Sequence, residues 1–165
     1  MYKRILVPLD RSTFSTRALK YAIDLAPRYG AKLILLTVIE PAKVMPLVVD
    51  PTGLSSPILA STAIEQAQIL EAQERERSRR YLARKVNQLK KRGIDAEYVL
   101  AYGQPADTIM KIAREKKADL IVMATHGRTG LKRAIMGSVA EKVIRESSQP
   151  VLVIRPRPDR KKIKK

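Results

Sequence analysis

Lys32-Leu-Ile-Leu-Leu-Thr-Val-Ile39 decides the fold, because after Lys32 it holds one polar residue, Thr37, and no alternation. A strand with one wet face alternates apolar and polar residues. A run apolar throughout reads as a strand covered on both sides, as in parallel sheets. The same kind of run recurs outward from it: Lys3–Leu9 (KRILVPL), Ala96–Ala101 (AEYVLA), Leu120–Ala124 (LIVMA) and Val151–Ile154 (VLVI). Between the first two runs, Ala18, Tyr21, Ala22, Leu25 and Ala26 recur at helical spacing and stop at Tyr29-Gly30. Leu59–Arg92 has no glycine or proline, with Leu82, Val86 and Leu89 as its packed stripe, a mostly solvent-facing charged middle at 71–80, and Gly93 as its stop. Pro105–Lys117 reads as a helix with proline in its first turn, and Ser138–Ser147 as a short one. Glu40–Pro57 is a long proline-bearing loop. Strands separated by helices predict a doubly wound α/β domain with a five-stranded parallel sheet and helices on both faces.

Such sheets bind ligands beyond the carboxyl ends of their strands. The ends that matter are Pro8–Asp10 and the segment after the fourth strand, Ala124–Val139, which reads ATHGRTGLKRAIMGSV. Gly127 and Gly130 bracket Arg128 and Thr129, and Gly137-Ser138 open the next helix. Glycines let backbone N–H groups approach a ligand closely, and a helix amino terminus offers unpaired donors to phosphate. Ser138 can cap the helix or donate its hydroxyl; Arg128 and Thr129 are further donors. Read from these residues alone, a loop that merely connects strand to helix remains an equal alternative. There is no GxxxxGK[ST], and no GxGxxG follows the first strand. SGGxDS and the HIGH/KMSKS pair are absent as well.

The 165 residues suit one domain, and 45% hydrophobic residues suffice for a core without staples. With no cysteine and a single histidine, His126, thiol nucleophiles, iron–sulfur clusters and cysteine or histidine-rich metal sites are excluded. The longest stretch without frequent charges, residues 44–65, is broken by prolines and cannot span a bilayer as a helix, and the amino terminus lacks a signal-peptide pattern. A cytoplasmic protein is expected. The net charge of +17 is local: residues 74–92 carry nine basic and two acidic side chains, and residues 155–165 seven basic and one acidic. The last ten residues, 156–165, are expected to be a disordered basic tail beyond a domain of residues 1–155.

Taken together, VPLD near the start, LLTVIE at the second strand, THGRTG, GSVAEKVI and PVLVIRP resemble the universal stress protein family, specifically its ATP-binding branch. The family pattern G-x2-G-x9-G-[ST] matches at Gly127 and Gly137-Ser138, while Ala124 stands at its first glycine. The resemblance implies an adenine nucleotide α-hydrolase-like fold with strand order 3-2-1-4-5. It places Pro8 and Asp10 against adenine and ribose, and the Val38 backbone at the adenine edge. Met123 and Ala124 fall beside the nucleoside. Gly127, Arg128, Thr129 and Gly130 follow the phosphates, Gly137, Ser138 and Val139 complete their cradle, and Thr125 and His126 count among the nucleotide-binding positions. ATP, or ADP or AMP, is the implied ligand, with Mg2+ bridging its phosphates. The resemblance also implies a homodimer through the edge strand Val151–Ile154.

Alternatives stay open at single positions. Asp10, followed by Ser12 and Thr13, also fits a turn or helix cap, Val38 fits pure core, and His126 fits a solvated loop. Three functions compete: a nucleotide-dependent regulatory protein read by a partner protein, a slow ATPase, and an electrostatic binder of nucleic acid or acidic surfaces. For the second, Asp10 and His126 are the only candidate bases and neither sits in a recognised triad. The third would use residues 74–92 and the tail, and with no reading motif its binding would be non-specific.

Overall fold

The computed structural model describes residues 1–41, 57–125 and 136–155, with side chains in the second helix described from Ile64 onward. Five strands form one sheet: β1 (Arg4–Pro8), β2 (Lys32–Ile39), β3 (Ala96–Tyr102), β4 (Leu120–Ala124) and β5 (Val151–Ile154). Every pairing is parallel and the order is β3-β2-β1-β4-β5. Helices α1 (Thr13–Tyr29), α2 (Pro57–Lys91), α3 (Pro105–Glu115) and α4 (Ser138–Glu146) connect them.

The uninterrupted apolar runs acquire their meaning here. Successive side chains on a strand point to opposite faces. Ile5, Val7, Leu33, Leu35, Leu120 and Val122 therefore enter one core, beneath α1 and α2. Leu6, Ile34, Leu36, Ile121 and Met123 enter the other, beneath α3 and α4. The first core is closed by Ala18, Leu19, Ala22 and Ala26 of α1 and by Leu82, Val86 and Leu89 of α2. The second is closed by Ile109, Met110, Ile112 and Ala113 of α3 and by Ala140 and Val143 of α4. Small residues on α1 let that helix lie close to the sheet.

Boundaries follow local chemistry. Gly30, at φ 59°, ends α1 in the left-handed conformation that only glycine adopts without cost. α2 begins at Pro57, two residues before the first expected position, as suits a residue with φ preset and no N–H to lose. α3 ends at Glu115 instead of Lys117, because Lys117 turns left-handed at φ 51° without a glycine to announce it. Before α3, Gly103 has φ 138°, and a Cβ there would stand 2.7 Å from Thr108 Oγ1. At the amino-terminal edge of the sheet, Asp119 Oδ2 accepts from the Lys3 and Arg4 N–H groups at 2.7 and 2.8 Å, tying β1 to the start of β4. Most of the expected loop 40–57 and the tail 156–165 lie outside the described residues.

Leu6 is fully buried in the core beneath α3 and α4. Leu6→Ala is expected to lower stability by about 2–5 kcal/mol, the usual cost of a buried leucine truncated to alanine. A urea melt followed by far-ultraviolet circular dichroism measures it.

Candidate functional site

Beyond the carboxyl ends of β1, β2 and β4 lies a cavity of about 650 Å³. That is within the ordinary range for small-molecule sites, about 300–1,000 Å³. It sits where β1 neighbours both β2 and β4, the point at which the order of the sheet reverses. Pro8, Val38, Ile39, Met123 and Ala124 supply wall from the strand ends. Gln104, Pro105 and Ile109 come from the start of α3, and Gly137, Ser138, Val139 and Ala140 from the start of α4.

The exit from β1 is built by hydrogen bonds. The Leu9 N–H donates to Leu36 O at 2.7 Å, and the buried Thr37 hydroxyl donates to Leu9 O at 2.8 Å. Asp10 Oδ1 then accepts from the Ser12 N–H at 3.0 Å, an Asx turn. Ser12, not Asp10, caps α1, its Oγ accepting from the Ser15 N–H at 3.1 Å. Burial pushes the Asp10 carboxyl up, but hydrogen bonds from the Ser12 and Ser15 hydroxyls and the Ser12 N–H outweigh it. Its pKa lies below the ordinary value, so Asp10 is an anion on the cavity wall. Arg11 takes a left-handed backbone at φ 65° and pairs with Glu74 of α2. Both residues line the cavity.

At the opposite wall, Gly137 is the N-cap of α4, at φ −68° and ψ 145°, with no side chain to satisfy the first-turn donors. The first N–H groups of a helix have no intrahelical acceptor. Ser138 is the first helical residue, so the cap falls to Gly137 and not to a hydroxyl. The Gly137 N–H donates to Thr125 O at 2.8 Å, and the Thr125 N–H donates to Ile154 O at 3.1 Å. The point where the chain leaves β4 is thereby stitched to the point where it enters α4. This wall offers donors and a partial positive charge, which is the chemistry of an anion site.

Of the positions expected from sequence, the cavity brings together Pro8, Asp10, Val38, Met123, Ala124, Thr125, Gly137, Ser138 and Val139. His126, Gly127, Arg128, Thr129 and Gly130 lie outside the described residues. Sequence reasoning missed Arg11, Ser15, Thr37, Glu74, Gln104 and Ile109 as wall residues. Ser15 carried a signal, since it stands three residues after the Ser12 cap. Glu74 carried none, because only the packing of α2 brings it near β1. No group of three His, Asp or Glu side chains among the described residues is placed to hold a metal ion. No helix among them is long and apolar enough to cross a membrane.

A doubly wound α/β protein with a ligand-sized cleft at its switch point is the class this geometry defines. The model of the universal stress protein family matches residues 1–155, and the chain belongs to that family. Universal stress protein MJ0531 of Methanocaldococcus jannaschii is 36% identical over 156 residues, covering 94% of this chain and 83% of that one. The solved structure of MJ0577 has a TM-score of 0.76 at 29% identity, covering 96% of this chain and 99% of that chain. The universal stress protein of Archaeoglobus fulgidus in complex with dAMP has a TM-score of 0.58 at 26% identity, covering 93% and 98%.

Because the folded-state pKa of Asp10 is lowered, its contribution to stability is complete above the unfolded value of about 3.9 and is lost as pH falls through the folded one. Asn at this position keeps the Asx turn and removes the charge. Asp10→Asn is expected to be less stable than the parent at pH 7, with the gap narrowing below about pH 4. Thermal melts across that range test it.

Proposed function

We propose that the cavity binds an adenine nucleotide, with ATP as the leading ligand and ADP or AMP as related ones, and that occupancy regulates a partner protein. The observation that carries this reading is the pairing of two unlike walls in one cleft. Apolar groups at the ends of β1, β2 and β4 suit a purine, and the bare amino terminus of α4 suits phosphate. The complex of a relative with dAMP supports the same class of ligand. In this reading Pro8, Val38 and Met123 take the base, Asp10 the ribose hydroxyls, and Gly137, Ser138 and Val139 the phosphates. Micromolar affinity requires about 8 kcal/mol. The helix terminus supplies about 0.3–1 kcal/mol, so contacts of base and sugar carry most of the affinity. A magnesium ion would be held chiefly by phosphate oxygens and water. A carboxylate held below its ordinary pKa is a weak base, so Asp10 favours binding over hydrolysis. Cytoplasmic location and a basic tail appended to residues 1–155 belong to the same proposal.

The second part of the proposal is a homodimer through β5. This strand pairs with β4 on one side only. Pro150 O and Ile154 O accept hydrogen bonds from the β4 side, so the alternate groups of Val151 and Val153 face outward along an apolar edge. The matching strand of a second copy would satisfy them.

Heat-denatured protein is expected to release adenine nucleotide, and titration calorimetry of stripped protein to give micromolar binding. Gly137→Asp separates site from fold. The backbone there suits any residue, and aspartate is a strong N-cap, so stability holds or rises. Nucleotide affinity is expected to fall at least tenfold, as a carboxylate occupies the phosphate position; unchanged affinity would refute the placement. For the dimer, Val153→Pro deletes one outward N–H and leaves the β4 pairing intact. Sedimentation at micromolar concentration is expected to show a dimer for the parent and a monomer for the variant.

A further inference from the structure

The exposed face of α2 is not used by the cleft. Leu82, Val86 and Leu89 turn into the core, which sends Arg80, Arg84 and Lys91 to the opposite side of the helix. With Arg79, Asn87 and Gln88 they line a shallow groove between side-chain rows on the outer surface of this one helix. Eleven residues separate Arg80 from Lys91, about 16 Å along the helix, or about five nucleotides of a stacked strand at 3.4 Å each. Glu76 is the carboxylate near this row. Hydrogen bonds from Arg79 and Arg80, at 2.8 and 2.6 Å, hold its pKa down to about 2. It therefore stays ionised and orients two guanidinium groups while four cations remain against one anion. Arg84 and Lys91 have no acidic partner among the described residues. At the Arg79 end only, on the edge strand β3, Tyr98 interacts with Arg79 and keeps 37% of its surface exposed.

We propose that this groove binds single-stranded nucleic acid, with Arg79, Arg80, Arg84 and Lys91 on phosphates along its length and the Tyr98 ring, at the Arg79 end, as a stacking surface for a base. Cations spaced along a track together with an exposed aromatic ring are the combination that single strands use. The side-chain amides of Asn87 and Gln88 supply hydrogen bonds without imposing a sequence. An acidic membrane fits less well: the exposed aliphatic residues of α2, Ile64, Ile69 and Leu70, lie more than two turns upstream of the groove.

Fluorescence anisotropy of a labelled twenty-residue oligo(dT), which carries no adenine for the cleft, tests this with the full chain. The variant with Arg79, Arg80, Arg84 and Lys91 all changed to Gln is expected to bind at least tenfold more weakly at low salt. Its plot of log affinity against log salt should be shallower by about 3, four contacts at about 0.7 each. Tyr98→Ala is expected to weaken binding about fivefold or more with the salt slope unchanged. A control with Lys20, Arg28, Lys111 and Arg114 changed to Gln removes the same charge from exposed positions elsewhere and is expected to bind like the parent. Melting curves of all variants establish that the fold is retained. The proposal is overturned if the groove variant binds like the parent or no better separated from it than the control. Preference for duplex over oligo(dT) together with an inert Tyr98→Ala would also sink it, as would loss of binding to phosphatidylserine vesicles without loss of oligo(dT) binding.

Discussion

Coverage of the sheet on both faces is the constraint from which the rest follows. β1, β2 and β4 send alternate side chains into two separate cores, where a polar group without a partner is costly. Helices seal both faces, and the right-handed crossovers that parallel pairing requires place every connection at one of the two ends. The backbone groups that leave the strands can open toward a ligand only there. The cleft is thus the gap that remains once β1 has two neighbours whose helices depart to opposite sides.

The fold was legible because its signal lies in the strands themselves. Lys32–Ile39 can be only a strand buried on both sides, and four similar runs with helical spacing between them leave little choice of architecture. Gly30 and Pro105 punctuated α1 and α3 as a reading of local chemistry predicts. The carboxyl end of α3 escaped that reading because Lys117 adopts a conformation usually left to glycine or asparagine. In the cleft, residues contributed by strand ends and by the start of α4 were accessible from sequence, since their place follows from their place in the element. Glu74 and Gln104 were not, because they reach the cavity through the packing of whole helices. The roles of Asp10 and Ser12 separated only in three dimensions: one makes the turn, the other caps the helix.

The charge of the protein is organised around the same division. The described cavity wall carries Asp10, Glu40 and Glu74 against one cation, Arg11, whereas the arginines and lysines of α2 lie mostly along its solvent side. A large net positive charge therefore coexists with a cleft whose described side chains are net acidic and whose anion donors are the backbone groups at the start of α4. Ionic strength screens exposed side chains more strongly than partly buried dipoles. The two regions consequently have different sensitivities to salt.

The bond from the Gly137 N–H to Thr125 O gives the cleft a further property. It joins the residue that leaves β4 to the N-cap of α4, so the bare first turn of that helix is set against the strand ends by main chain. The rim is clasped without any side chain, and a substitution that keeps the local backbone leaves the clasp in place.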